Sequence, residues 1–208
     1  TLSNVLQIPI SKIGILGDAI NHLSDNANSK AADIVNVLTR VGSDIKQLGM
    51  TENQGAALGS TFLSMGKAPE LAAQAMKGMI TSMSVMKAGG AKKELAELGL
   101  TPKEFATAMD KDANGAMLNL LARVKQLPKA EQFPMLLEMF GRNYADDAMM
   151  LANNIGEYNR QLALLEERDA SGNLKYLGSM QREFANRSAT WKLSRTQSPN
   201  HPSWKTQP

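Results

Sequence analysis

Cysteine is absent from the 208 residues, and histidine occurs only at His22 and His201. Without thiols there is no disulfide and no thiolate metal site, and a reducing compartment fits the composition. Two isolated histidines leave no Cys-His pair, no Ser-His-Asp arrangement and no HExxH zinc motif. Aromatic residues make up 5% of the chain, few for stacking against bases. The net charge of +3 is too mild, and its Lys and Arg residues too dispersed, for the concentrated basic face of a nucleic-acid binder. No run reaches the ~18 consecutive apolar residues of a membrane span. The charge-free stretch 53–66, for example, is interrupted by Ser, Thr and Gly. Residues 1–14 lack the basic start, apolar core and small-residue cleavage site of a secretory signal. Strand formers never cluster with alternating polarity.

What is present is a helical chain with frequent punctuation. Ala, Leu, Met, Lys, Gln and Glu recur, and 43% of residues are apolar, enough for a core. A first short helix is expected over 11–23, before the polar loop 24–28. Ile34, Leu38, Val41, Ile45 and Leu48 fall at spacings of four and three, one stripe of an amphipathic helix ended by Gly49. Thr51 with Gln54 has capping-box spacing and opens a helix rich in small residues over 52–65. Pro69 opens the next helix, and Gly89-Gly90 closes it. A short helix over 91–98 ends at Gly99, and Thr101-Pro102-Lys103-Glu104 starts another. Met117, Leu118, Leu120, Leu121 and Val124 then lie on a helix. Pro128 and Pro134 bracket a turn and a further helix start, closed by Gly141. The alternating spacing from Ala148 to Leu165 predicts one long helix over about 144–167, and a final helix is expected over about 175–191. Leu48-Gly49-Met50-Thr51 and Leu98-Gly99-Leu100-Thr101 repeat one device: helix end, Gly stop, apolar residue, Thr cap. The whole reads as all-α, a compact multi-helix bundle of short helices with one or two longer amphipathic helices toward the C-terminus.

Few residues suggest chemistry. Asp110-Lys111-Asp112-Ala113-Asn114-Gly115 matches the first half of an EF-hand loop. Loop position 12, which needs a bidentate Glu, is Leu121, and position 9 is Leu118, so Asp and Asn read better as caps of the following helix. Asp146-Asp147 and Glu166-Glu167 are adjacent pairs, and neighbours on a helix point about 100° apart, so they read as solvated surface. Ala72, Met76, Met79, Met83 and Met86 form one face of the helix over 70–87, either core or an adaptable partner surface. Met135, Met139, Met149 and Met150 keep the second reading open. Gly55 and Gly59 have GxxxG spacing, which in a helix too polar and short to span a bilayer invites close approach of a neighbour. No catalytic, cofactor-binding or metal-binding residue is assigned, and no enzyme activity is expected.

The order of these elements resembles the core region of bacteriophage tail tape measure proteins. The resemblance rests on Gly17-Asp18-Ala19-Ile20-Asn21-His22-Leu23, Ala31-Ala32-Asp33-Ile34-Val35, Arg40-Val41-Gly42, and Leu48-Gly49-Met50-Thr51 with Ala56-Ala57-Leu58-Gly59. It continues through Gly66-Lys67-Ala68-Pro69-Glu70 with Ala72-Ala73, Leu98-Gly99-Leu100-Thr101, Phe105, Gly115, Phe140-Gly141 and Leu151-Ala152-Asn153-Asn154, spanning roughly 13–189. It implies a structural virion component, present in several copies in the tail lumen after assembly in the bacterial cytoplasm. Such a protein sets tail length, guides tail tube assembly and aids DNA ejection, and it has no cofactor. The implied partners are other copies of itself, the tail tube protein, tail assembly chaperones and, on ejection, the host envelope, with no specific nucleic acid sequence. On this reading 1–12 is an N-terminal extension and 13–142 a compact module. Residues 143–193 are longer helices continuing toward the ruler region, and 194–208 a disordered tail rich in Pro, Ser and Thr. Thr1 at the start fits a segment of a longer chain. A helical nucleic-acid-binding module is suggested by the pI of about 9.1 and by Arg182, Arg187, Lys192 and Arg195. It ranks below the tail reading, as does a membrane-active helical protein.

Overall fold

The computed structural model describes residues 2–196. Among the described residues every regular element is a helix. The first half holds α1 (Leu2–Leu6), α2 (Ile10–Asn26), α3 (Ala31–Leu48), α4 (Glu52–Ser64) and α5 (Pro69–Lys87). Next come α6 (Lys92–Glu97), α7 (Pro102–Lys111), α8 (Ala113–Gln126) and α9 (Lys129–Phe140). The chain ends in α10 (Ala145–Asn153), α11 (Ile155–Glu166) and α12 (Ser179–Thr196).

Local chemistry sets most of the boundaries. Gly49 and Gly99 adopt the left-handed conformation after α3 and α6. Behind each, the N–H of Met50 or Leu100 reaches back to the carbonyl of Ile45 or Leu95, at 3.1 and 2.8 Å, which closes a Schellman turn. Thr51 and Thr101 then cap reciprocally. Each hydroxyl accepts from the backbone N–H three residues on, at Gln54 and Glu104, whose side chains accept from the Thr N–H at 2.9 Å. The same device therefore operates twice.

α4 sits at the centre. Every residue from Gly55 to Leu63 is buried, and the helix packs against α2, α3, α5 and α11. Its small residues permit this: a Cβ added at Gly55 would lie 2.6 Å from Ile45 Cδ1, and one at Gly59 3.1 Å from Val37 Cγ1. The two buried hydroxyls of α4 are satisfied, Thr61 by donating to the carbonyl of Ala57 and Ser60 by pairing with Ser29 at 2.7 Å. α5 joins the halves, touching α3 and α4 on one side and α7, α9 and α10 on the other. Met76, Met79, Met83 and Met86 are at most 1% exposed, so the methionine face is core. Met135 and Met139 are buried with it, and Met149 and Met150 pack against it half-buried.

Several boundaries differ from the sequence expectation. Residues 144–167 form two helices, because the chain breaks at Asn154 (φ −121°, ψ 25°). The Asn154 amide donates to the carbonyl of Met150 at 2.8 Å, and the Asn154 carbonyl accepts from the N–H groups of Glu157 and Tyr158 in the first turn of α11. Asparagine competes for backbone partners in this way and is a poor helix former. The longest described helix is consequently α5, with 19 residues. Pro134 lies inside α9 instead of starting a helix. The carbonyl its ring leaves without an intrahelical partner belongs to Ala130, which is exposed to solvent, so the break is tolerated. Residues 2–6, within the expected extension, form a short helix packed on α3, with Leu6 fully buried. α12 begins at Ser179 instead of 175 and runs through Thr196, so 194–196, expected to be non-helical, are helical. The remainder of the expected tail, 197–208, lies outside the described residues.

Candidate assembly surface

The residues with chemical potential are separated or already engaged. In the EF-hand-like run, Asp112 caps α8, its Oδ1 accepting from the Gly115 N–H at 2.9 Å. Asp110 pairs with Lys87. Asn114 is buried, and its Oδ1 accepts from the hydroxyl of Tyr158. Leu121 is fully buried. The three oxygen donors therefore serve a helix cap, an ion pair and a core hydrogen bond, and they do not converge.

The carboxylate pairs diverge as well. Asp147 pairs with Lys67 at 2.6 Å in a largely covered site, tying the α4–α5 turn to α10, while Asp146 faces solvent. Glu167 pairs with Lys175 at 3.1 Å, and Glu166 is exposed. His22 is half-buried on α2, its Nδ1 3.4 Å from the Asn26 amide. His201 lies outside the described residues. An open cleft includes Asn28, Asn154, Glu157 and Arg160 in its lining. Asp25, also in the lining, accepts from the Asn21 amide. Arg160 and Glu157 neutralise each other: the Arg160 guanidinium donates to both Glu157 oxygens at 2.7 Å and also to the Asn26 carbonyl. Those bonds hold the Glu157 carboxyl below its usual range.

Tyr158 draws the halves together. It is fully buried, and its hydroxyl donates to Asn114 on α8 and lies 3.3 Å from the Gln54 carbonyl on α4. Burial, with the charge of Asp112 added, pushes the phenol far above its ordinary value, so it stays a neutral donor. Its role is architectural.

The surface offers a clearer feature. Of the nine large apolar side chains that stay exposed among the described residues, five lie on two contacting segments. Ile10 and Ile15 are on α2, and Leu177, Met180 and Phe184 are on α12 and the turn before it. Ile10 and Phe184 are the most exposed, at 83% and 78%. The two segments meet at Gly17 and Asp18. Asp18 Oδ2 accepts from the Gly178 N–H at 2.7 Å, Oδ1 from the Met180 N–H at 3.1 Å, and the Asp18 carbonyl from the Ser179 hydroxyl at 2.7 Å. A carboxylate on one helix thus caps the N-terminus of another, favourable for both hydrogen bonding and the helix dipole. Gly17 leaves room for Met180, whose Cε would lie 2.7 Å from a Cβ there. Gly17-Asp18 stands in the run that carried the family resemblance, but no local spacing links it to residues 160 positions away.

What the fold defines is a helical packing module whose polar groups serve caps, ion pairs and core bonds. That is the class of a structural protein. Comparison with known proteins gives the family: residues 1–141 match phage-related minor tail proteins, and the chain belongs to that family. It is also 31% identical over 170 residues to a probable tape measure protein of Halomonas phage phiHAP-1. That alignment covers 81% of this chain and 19% of the relative, so the chain spans about a fifth of the length of the relative it matches. No solved structure matches it. The role these findings give is that of a structural component of a phage tail.

Proposed function

We propose that this chain is the compact module of a tape measure protein, a non-catalytic part of the chain that sets tail length and guides assembly of the tail tube. The observation that carries the reading is the alignment with a tape measure protein over 81% of the chain. Support also comes from the fold, in which α4 is buried on every face and the candidate chemical residues serve packing. Among the described residues no helix is long and apolar enough to cross a membrane. In this reading the module lies in the tail lumen of the virion after assembly in the bacterial cytoplasm. It associates with other copies of itself, with the tail tube protein and with tail assembly chaperones, and it meets the host envelope as DNA is ejected.

A ruler made of helix has a length of ~1.5 Å per residue. In-frame deletions elsewhere in the full protein are expected to shorten tails in proportion, as measured by electron microscopy of virions. Disrupting this module, by Gly55→Leu at the Ile45 contact, is expected to abolish tails instead of shortening them. Tails of normal length and number from a chain with an unfolded module would refute the proposal.

A further inference from the structure

We infer that copies of this chain join head to tail, with Phe184 and the basic residues of α12 of one copy seated in the groove between α6 and α9 of the next. The inference rests on the self-association reading above and names the contact that would carry it.

The groove is apolar at its base and acidic at its edges. Pro134 and Met135 of α9 line it, together with Glu94 and Glu97 of α6 and Glu131 and Glu138 of α9. Met135 is buried, while Glu97, Glu131 and Glu138 are exposed. Its volume of about 270 Å³ falls below the ~300–1,000 Å³ of small-molecule pockets and suits a side chain better than a ligand. Among the described residues Lys93 is the cation in the lining, 3.8 Å from Glu97, so four carboxylates meet one amine. Helix energetics account for Glu94 and Glu131, which stand in first turns. They do not account for Glu138. It occupies the last turn of α9, where the helix dipole disfavours negative charge and no basic residue offsets it.

α12 supplies the complement. Its sequence holds Arg182, Arg187, Lys192 and Arg195 against one acid, Glu183. Phe184 is 78% exposed, and every residue from Phe184 to Ser188 is exposed, so more than one full turn has no packed face. Arg187 lies three residues after Phe184 and therefore on the same side of the helix. It pairs with Glu183 at 2.7 Å, but its side chain is 81% exposed, and a solvated pair of this kind exchanges readily for another carboxylate. An exposed ring with cations beside it matches an apolar base edged with carboxylates, and such complementarity selects the partner and fixes its orientation.

The occupant comes from another copy. Three hydrogen bonds to Asp18 fix the first turn of α12 on α2. α6 and α9 instead pack on each other and on α5, α7, α8 and α10. The inserted face and the receiving groove are thus different surfaces, and each docked copy leaves one of each open for the next. The ion pairs are exposed, so the association is sensitive to salt.

The test follows the mass of the intact chain by light scattering. At about 0.01 M salt, where charges act over ~30 Å, mass should rise with concentration, and at about 1 M salt, where they act over ~3 Å, it should return to that of a monomer. One variant, Glu97→Lys with Glu138→Lys, loses the groove; a second, Phe184→Ser with Arg187→Glu, loses the inserted face. Each alone should stay monomeric at low salt. Mixed, they should form a 1:1 complex and grow no further, because the first keeps the inserted face and the second keeps the groove. An intact chain that is monomeric at low salt up to millimolar concentration overturns the proposal. So does association that survives in either variant alone, or a mixture that stays monomeric. If circular dichroism shows a variant unfolded, the intact chain decides. Carbodiimide, which joins touching amines and carboxylates, should link Lys192 of an isotope-labelled copy to Glu97 or Glu138 of an unlabelled one, and associated protein without that link excludes this contact. Failure here leaves the tape measure reading untouched, since that reading is decided by tail length.

Discussion

Tyr158 and Asn114 show how a single hydrogen bond can be costly to lose in this core. The phenol is fully buried, Asn114 is 7% exposed, and each is the other's polar partner between α11 and α8. Tyr158→Phe keeps the ring but leaves the Asn114 carbonyl oxygen without its donor. An orphaned buried acceptor costs about 1–3 kcal/mol, more than the net worth of an average hydrogen bond. The urea midpoint of the variant should fall accordingly, with an unchanged slope. Replacing Asn114 by Leu in the same chain should not add a second full penalty, because the two groups form one unit. The threonine caps act at the same scale. Thr51→Ala removes the acceptor for the Gln54 N–H and should cost about 0.5–2 kcal/mol by the same measurement.

Among the helices, α5 was the most ambiguous in sequence and is the clearest in structure. Methionine at helical spacing fits a core or an adaptable surface equally well, and only the positions of the surrounding helices decide. Here α3 and α4 cover one side and α7, α9 and α10 the other. Peroxide reads this difference directly, since oxidation follows exposure. Met180, 41% exposed, should be oxidised first in a mass-spectrometric time course. Met76, Met79, Met83 and Met86 should resist until the chain unfolds. Rapid oxidation of the α5 methionines in the folded protein would show that this face opens. The break between α10 and α11 shows where helical periodicity misleads. Ala148, Leu151, Ile155, Tyr158, Leu162 and Leu165 keep the spacing of one helix across a point where the backbone departs from it. The signal that would have found the break was Asn153-Asn154. There Asn153 Oδ1 accepts from Lys125 Nζ at 2.6 Å, and Asn154 turns its amide back to the Met150 carbonyl.

Across the whole molecule, legibility tracks the distance over which each feature is specified. Helix ends at Gly49, Gly99 and Thr101 are written within a few residues and were readable. The return of α11 to α2 and α4, and the cap that Asp18 lends to α12, join residues more than a hundred positions apart and leave no local pattern. Charge behaves similarly, because carboxylates that look alike in sequence are distinguished only by their partners. Glu157 is held low by Arg160, and Glu104 by the N–H and hydroxyl of Thr101. At Glu52 partial burial works upward, but the bonds from Lys46 and the backbone outweigh it. Asp169 is lowered by the N–H groups of Asn173 and Ser171 in its turn. All four have folded values below the ordinary 4.5 of Glu or 3.8 of Asp. The unfolded chain therefore binds protons first as pH falls, and stability decreases in that direction. The contribution is complete above the unfolded values and is lost as pH drops through the lower folded ones. A thermal midpoint that is level above about pH 5 and falls below about pH 4 is the expected profile. Glu157→Gln should flatten the acid limb while lowering the plateau, because it removes both a titrating group and the anchor of Arg160. An acid limb of unchanged steepness in that variant would place the titration elsewhere and remove Glu157 from the account.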